Sequence, residues 1–266
     1  MPSLLALIDG SDNDSATLRA AAEMARAVEA RLTVAHFKPA EAVPIGTFEM
    51  AAVLPNNSAL VAEARRRAQE AYSEACSRLA DCRLQVIDAG IAEAIEQLSP
   101  YHDLIVLERL SGVDGPDALA FSAALWTAGC AILVTPAPAK SPESVRHVAV
   151  AWNGSLQAGR AVRAAMPFIQ KAAQVTVLQR HGSVEDAELT RYLAAQDVPA
   201  PASRTYGQGH LSGRAWGRAL LAATKEIGAD LLVMGAYGSA VGNLLGFGRA
   251  TEKIVTSAQV PVLLSA

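Results

Sequence analysis

Short apolar runs alternate along the chain with stretches in which apolar residues recur every three to four positions. Leu4-Leu5-Ala6-Leu7-Ile8 precedes an alanine-rich segment of helical period over 15–30, and Leu32-Thr33-Val34 follows it. The same sentence is written again: His147-Val148-Ala149-Val150-Ala151, a helical segment over 156–172, then Val175-Thr176-Val177. Further on, Asp103-Leu104-Ile105-Val106-Leu107 answers Asp230-Leu231-Leu232-Val233-Met234, and Ala131-Ile132-Leu133-Val134 answers Pro261-Val262-Leu263-Leu264. Near-continuous apolar strands separated by amphipathic helices belong to parallel sheets covered on both faces. The pattern predicts an α/β chain of two tandem, doubly wound, Rossmann-like units, each with five strands and right-handed crossovers.

The two copies are not the same length. The offset is 144 at Asp9 and Asn153 (153 − 9), 143 at the second strands (175 − 32) and 127 at the fourth (230 − 103), so the first half carries about 16 additional residues. The segment 38–57 accommodates them. It combines Pro39, Pro44, Gly46 and Pro55 with Ile45, Phe48, Met50, Val53 and Leu54, and reads as a long loop that lies on the surface or caps a pocket. Prolines in 136–143 stop both strand and helix there. We therefore expect one domain over 1–138 and a second over 144–266.

Composition narrows the function. With 51% hydrophobic residues in 266 the chain can bury a large core, and the 5% aromatic share makes that core aliphatic. A net charge of -3 and a pI near 6.0 speak against nucleic acid as a partner. Arg65-Arg66-Arg67 is interleaved with Glu63, Glu70 and Glu74 and reads as a solvated helix face. Cys76, Cys82 and Cys130 lack metal-ligand spacing, which suggests free thiols and a cytoplasmic address. No basic leader segment and no run of 18 apolar residues is present, so neither secretion nor a membrane partner is expected.

Candidate chemistry collects in loops beyond the carboxyl ends of the strands, where open parallel sheets hold ligands. After Met234 comes G-x2-G-x9-G, made by Gly235, Gly238 and Gly248 and followed by a helical pattern from Ala250. Peptide N–H groups in such a loop, with the dipole of the next helix, suit a phosphate. The competing reading is a tight turn that binds nothing. The partner loops follow Ala151 (Trp152-Asn153-Gly154-Ser155) and Leu178 (Gln179-Arg180-His181-Gly182). Trp152 and Tyr237 either stack on a flat ring or pack on the adjacent helix.

Other residues are assigned structural roles. Asp9, Asp12 and Asp14 read as helix caps rather than calcium ligands, and Ser155 as the N-cap of the helix over 156–172. His36, His102, His147, His181 and His210 show no zinc grouping. No G-x-S-x-G or Walker sequence occurs, so no catalytic residue and no metal site is expected.

A strand ending in Asp9-Gly10-Ser11, an alanine-rich helix, and a later strand running into G-x2-G-x9-G together resemble the universal stress protein family. The two copies resemble its tandem members, over nearly all of the chain. The resemblance implies a cytoplasmic stress-response protein that binds ATP or a related adenine nucleotide, with Mg2+, and either does not turn it over or hydrolyses it slowly. It places the nucleotide in the second half, at Ala151, Trp152, Asn153, Leu178, Met234, Gly235, Tyr237, Gly238, Gly248, Arg249 and Ala250. Two departures stand out: Asn153 replaces an acidic residue that contacts the nucleoside, and Arg249 replaces a phosphate-binding Ser or Thr. Arg249 either makes a charge-assisted phosphate contact or plugs the pocket, whereas Thr251 supplies a hydroxyl only if the loop is wound differently. The first half lacks the glycine pattern and has Glu108 where the second has Gly235, so it is read as a structural partner. The resemblance also implies internal pairing of 132–134 with 262–264 as a pseudo-dimer; apolar edge strands, which invite pairing, add the expectation of a homodimer of whole chains, and a protein partner of unidentified kind is expected beside it. A chain that has lost ATP and serves as an interaction scaffold is the alternative. A nucleotide-activating enzyme is a third reading, weakened by the missing S-G-G-x-D-S loop.

Overall fold

The computed structural model describes residues 1–37, 57–112, 116–136, 145–181, 187–209, 211–236 and 248–266. Ten strands form one sheet in the order β3-β2-β1-β4-β5-β10-β9-β6-β7-β8. In the first half these are β1 (Ser3–Ile8), β2 (Arg31–Phe37), β3 (Cys82–Ile87), β4 (Leu104–Glu108) and β5 (Ala131–Thr135). The second half contributes β6 (His147–Ala151), β7 (Gln174–Arg180), β8 (Ala202–Tyr206), β9 (Leu231–Gly235) and β10 (Val262–Ser265). Within each half all pairings are parallel, and strand order reverses beside β1 and β6. The halves join where β10 pairs antiparallel with β5, Val262 opposite Val134, Leu263 opposite Leu133 and Leu264 opposite Ile132. That is the pairing expected of a pseudo-dimer.

Side chains alternate between the two faces of the sheet, and both faces are buried along the eight inner strands, while the edge strands β3 and β8 are largely exposed or half-buried. On one face Leu4, Ala6, Val148 and Val150 pack beneath helices α1 (Asp14–Ala27), α2 (Asn57–Cys76), α5 (Leu156–Ala164), α6 (Met166–Lys171) and α7 (Ala187–Ala194). On the other, Leu5, Ile105, Ala149 and Leu232 pack beneath α3 (Ile91–Leu98), α4 (Pro116–Thr127), α8 (Gly213–Glu226) and α9 (Arg249–Ser257). No helix among the described residues is long and apolar enough to cross a membrane.

Three local expectations change. The single helix over 156–172 is two, α5 and α6, divided at Ala165, with Pro167 in the first turn of the second. Proline lacks the N–H that an uninterrupted helix needs at that point, and its ring collides with the preceding turn. Segment 38–56 lies outside the described residues, but part of the additional length of the first half is helix, since α2 has 20 residues against 8 in α7. The expectation of three free thiols is also corrected. Cys76 at the end of α2 and Cys82 at the start of β3 form a disulfide with Cα atoms 6.0 Å apart, and Cys130 alone is free. The chain reversal between α2 and β3 brings them together, which cysteine spacing alone does not reveal.

Candidate functional site

The two switch points carry equivalent crevices of different chemistry. In the second half Ala151 at the end of β6, Trp152 and Asn153 just beyond it, Met234 and Gly235 at the end of β9, and Ala250, Thr251 and Ile254 on α9 line the crevice. Tyr206 from β8 and Trp216 and Leu220 from α8 complete it. The volume is ≈ 60 Å³.

The entry loop is organised by Asn153. Its Oδ1 accepts from the Ser155 backbone N–H at 3.2 Å and from Ser155 Oγ at 2.7 Å, while Ser155 Oγ accepts from the Ala158 N–H at 3.2 Å. Ser155 is thus the N-cap of α5, as its sequence position suggests. In the first half Asp9 Oδ1 accepts from the Ser11 N–H at 3.0 Å in the same way. Replacing Asp by Asn therefore keeps the loop and removes the charge, leaving an amide donor where the first half has a second carboxylate oxygen.

Gly235 is required by packing. A Cβ there would lie 2.6 Å from the Ala158 nitrogen and 2.8 Å from the Gln157 carbonyl carbon, so β9 could not meet the start of α5. Helices α8 and α9 approach in the same manner: a Cβ on Gly217 would lie 2.8 Å from the Ala250 oxygen, and one on Gly213 3.1 Å from Arg249 Cβ. This sets the N-terminus of α9 at the crevice. Gly248 is its N-cap residue in extended conformation, without a side-chain cap, so the first-turn N–H groups have no side-chain acceptor at the cap.

The structure separates Arg249 from Thr251. Arg249 is exposed, has its Cβ toward Gly213 and does not line the crevice, so it does not plug it. Thr251, 1% exposed, does line it, and its hydroxyl has no hydrogen-bond partner among the described residues. One helical turn after Gly248 points the third residue inward and the first outward, which counting from the glycine does not show. Leu178 contributes less than expected: its side chain is fully buried in the core and its carbonyl accepts from the Trp152 N–H at 2.9 Å. Tyr237 and Gly238 lie outside the described residues. Tyr206, Trp216, Leu220 and Ile254 were not anticipated; in a chain so poor in aromatic residues, Trp216 on a helix and Tyr206 at a strand end were the available signal.

The first-half crevice, of volume ≈ 100 Å³, gathers Asp9, Asp14, Glu108 and Arg109 with Phe37, Leu107 and Phe121. Asp14 corrects the capping expectation. It is the first residue of α1 and reaches backward, accepting from the Gly10 N–H at 2.7 Å and from Ser11 Oγ at 3.2 Å. Burial raises its pKa to about 6, against the lowering effect of the Gly10 N–H. Gly10 itself, at φ +88°, is pressed against α2, where a Cβ would lie 2.5 Å from the Ala64 backbone. Asp12 is ion-paired to Arg67 of α2 at 3.0 Å. Among the described residues no group of three or more His, Cys, Asp or Glu is placed to hold a metal ion. His36, His102 and His147 are buried; His102 Nδ1 and the Leu98 carbonyl are 2.7 Å apart, and His147 Nε2 and Thr176 Oγ1 are 2.8 Å apart.

Comparison with known proteins places this geometry. Residues 144–265 match the model of the universal stress protein family. No curated protein matches the chain. A universal stress protein from Archaeoglobus fulgidus DSM 4304 superimposes with a TM-score of 0.72 at 16% identity, covering 99% of this chain and 95% of its own. A putative universal stress protein from Pseudomonas aeruginosa UCBPP-PA14 gives 0.54 at 14% identity, covering 99% and 92%. A universal stress protein from Archaeoglobus fulgidus solved in complex with dAMP is 18% identical over 50% of this chain and 96% of its own, with a TM-score of 0.36.

Proposed function

We propose, for a chain that belongs to the universal stress protein family through residues 144–265, that its second half binds an adenine nucleotide, ATP by preference, without rapid turnover. The observation that carries this reading is the meeting of two sets of donors at one crevice: the first-turn amides of α9, which have no side-chain cap, and the buried Thr251 hydroxyl. Both suit an anion or a ribose hydroxyl, and the helix dipole adds to them. Asn153 offers a neutral amide at the mouth, and Trp152, Met234 and Ile254 supply apolar surface for a base. No carboxylate lines this crevice among the described residues, so Mg2+ would be held by phosphate oxygens. In this reading 144–266 is the binding domain and 1–138 its structural partner, because Asp9, Asp14 and Glu108 would repel a phosphate.

The narrowness of the crevice, ≈ 60 Å³ against the several hundred Å³ usual for ligand pockets, favours a second reading, the nucleotide-free scaffold. Calorimetric titration of ATP into the purified chain and into a Gly238→Val variant decides between them. The nucleotide reading expects binding by the first and its loss in the second. Absence of binding to both, with no nucleotide released on denaturation, supports the scaffold.

A further inference from the structure

The aromatic side of the second-half crevice is built with more constraint than core packing requires. Trp216 of α8 stands edge-on to Tyr206 at the end of β8, ring centroids 5.9 Å apart and planes at 87°. The guanidinium carbon of Arg180, at the end of β7, lies 4.6 Å from the Trp216 ring centroid. Arg180 and Tyr206 are register partners across β7 and β8, so both side chains leave the sheet on the face covered by α8. Gly207 closes the arrangement. At φ +68° a Cβ there would lie 2.3 Å from Cζ3 of the indole, so the glycine is what allows the ring to seat.

A tryptophan serving only as core filler would not be held in this way. Trp216 is half-buried, Arg180 is exposed, and β8 is an edge strand that is exposed along most of its length. The cation over the ring and the tyrosine against it fix an indole that lines the crevice together with Met234 and Ile254. A ring fixed before binding loses little rotamer freedom when a second ring is laid against it. Stacking of this kind selects a flat aromatic group and is indifferent to the phosphate.

We propose that Trp216, set by Arg180, Tyr206 and Gly207, is the residue that selects a planar base in the second-half crevice. This rests on the reading of that crevice as the nucleotide site and names the side of the ligand that Trp216 governs. The phosphate side belongs to α9 and Thr251, so the two contributions separate by ligand.

The test titrates adenosine, ATP and ribose 5-phosphate into the wild type and into Trp216→Leu, Trp216→Phe and Gly207→Ala variants, with circular dichroism to establish folding. The expected result is that Trp216→Leu weakens adenosine and ATP alike by about tenfold. Ribose 5-phosphate is unaffected, Trp216→Phe restores most of the loss, and Gly207→Ala reproduces part of it. If the folded Trp216→Leu protein binds adenosine and ATP as the wild type does, the role given to Trp216 is overturned while the nucleotide site stands. A loss that extends equally to ribose 5-phosphate also overturns it. Failure of the wild type to bind any of the three overturns the nucleotide site and the role of Trp216 together.

Discussion

Gly10 and Gly154 occupy equivalent positions in the two halves, both left-handed, at φ +88° and +70°. One is pressed against Ala64 of α2; the other has nothing within 4 Å of where its Cβ would be. The neighbouring residues diverge in parallel. Asp9 and Asn153 make the same bond to the loop, but the first stands in a crevice with Asp14 and Glu108 and the second in a crevice without carboxylates among the described residues. A duplicated loop thus keeps its backbone conformation while its surroundings reassign it. In the first half it is a docking point for a long helix, and in the second it is the mouth of a crevice.

The sharpest way to break this comparison is to place the same methyl group in both loops. Gly10→Ala must displace the α2 backbone and adopt a strained φ, with an expected loss of about 3 kcal/mol or more. Gly154→Ala meets only the backbone cost, roughly 1 kcal/mol. Urea denaturation of both variants measures the difference, and equal losses would remove the claim that α2 seals the first loop.

Next in size is the pH response of the first crevice. Asp14 has a folded pKa of about 6, above its ordinary 3.8, so the folded state favours the protonated carboxyl. Its stabilising contribution is present below about pH 4 and is lost as pH rises through about 6. Asp14→Asn, which keeps an oxygen acceptor for the Gly10 N–H, should exceed the wild type in stability at pH 7 by up to about 3 kcal/mol. The gap should close by pH 4. A gap independent of pH would mean that Asp14 is not a strained carboxylate.

Two substitutions on α9 then sharpen the account of the second half. Thr251→Val removes a hydroxyl without a protein partner among the described residues, so it should leave stability unchanged or slightly raised. ATP affinity should fall about tenfold, the equivalent of one hydrogen bond to a charged group. Arg249→Ala should change ATP affinity less than about threefold, since that side chain is exposed and outside the crevice. A larger effect at Arg249 than at Thr251 would restore the reading in which the residue after Gly248 contacts the phosphate.

The alternation of strands and helices in two copies was legible because burial on both faces imposes continuous apolar runs, whereas the join of β5 to β10 followed from the resemblance to universal stress proteins. The candidate site was legible only in part. Ala151, Trp152, Asn153, Met234 and Gly235 follow from strand ends, which sequence marks well, and Ala250 from the helix start after Gly248. Trp216 and Tyr206 reach the crevice through the packing of α8 on α9 across Gly213 and Gly217, a close approach that no local pattern announces. Which of Arg249 and Thr251 faces the crevice was hidden for a related reason, since the direction in which a helix starts decides which of its first residues points inward. The Cys76–Cys82 disulfide likewise depends on a tertiary turn.

The asymmetry of the halves is tested most directly by the number of ATP molecules bound per chain at saturation, measured by equilibrium dialysis. The account predicts one, lost in a Gly238→Val variant of the second half. Two per chain would contradict it by showing that the acidic first crevice also accepts a phosphate, and none would contradict the nucleotide site itself.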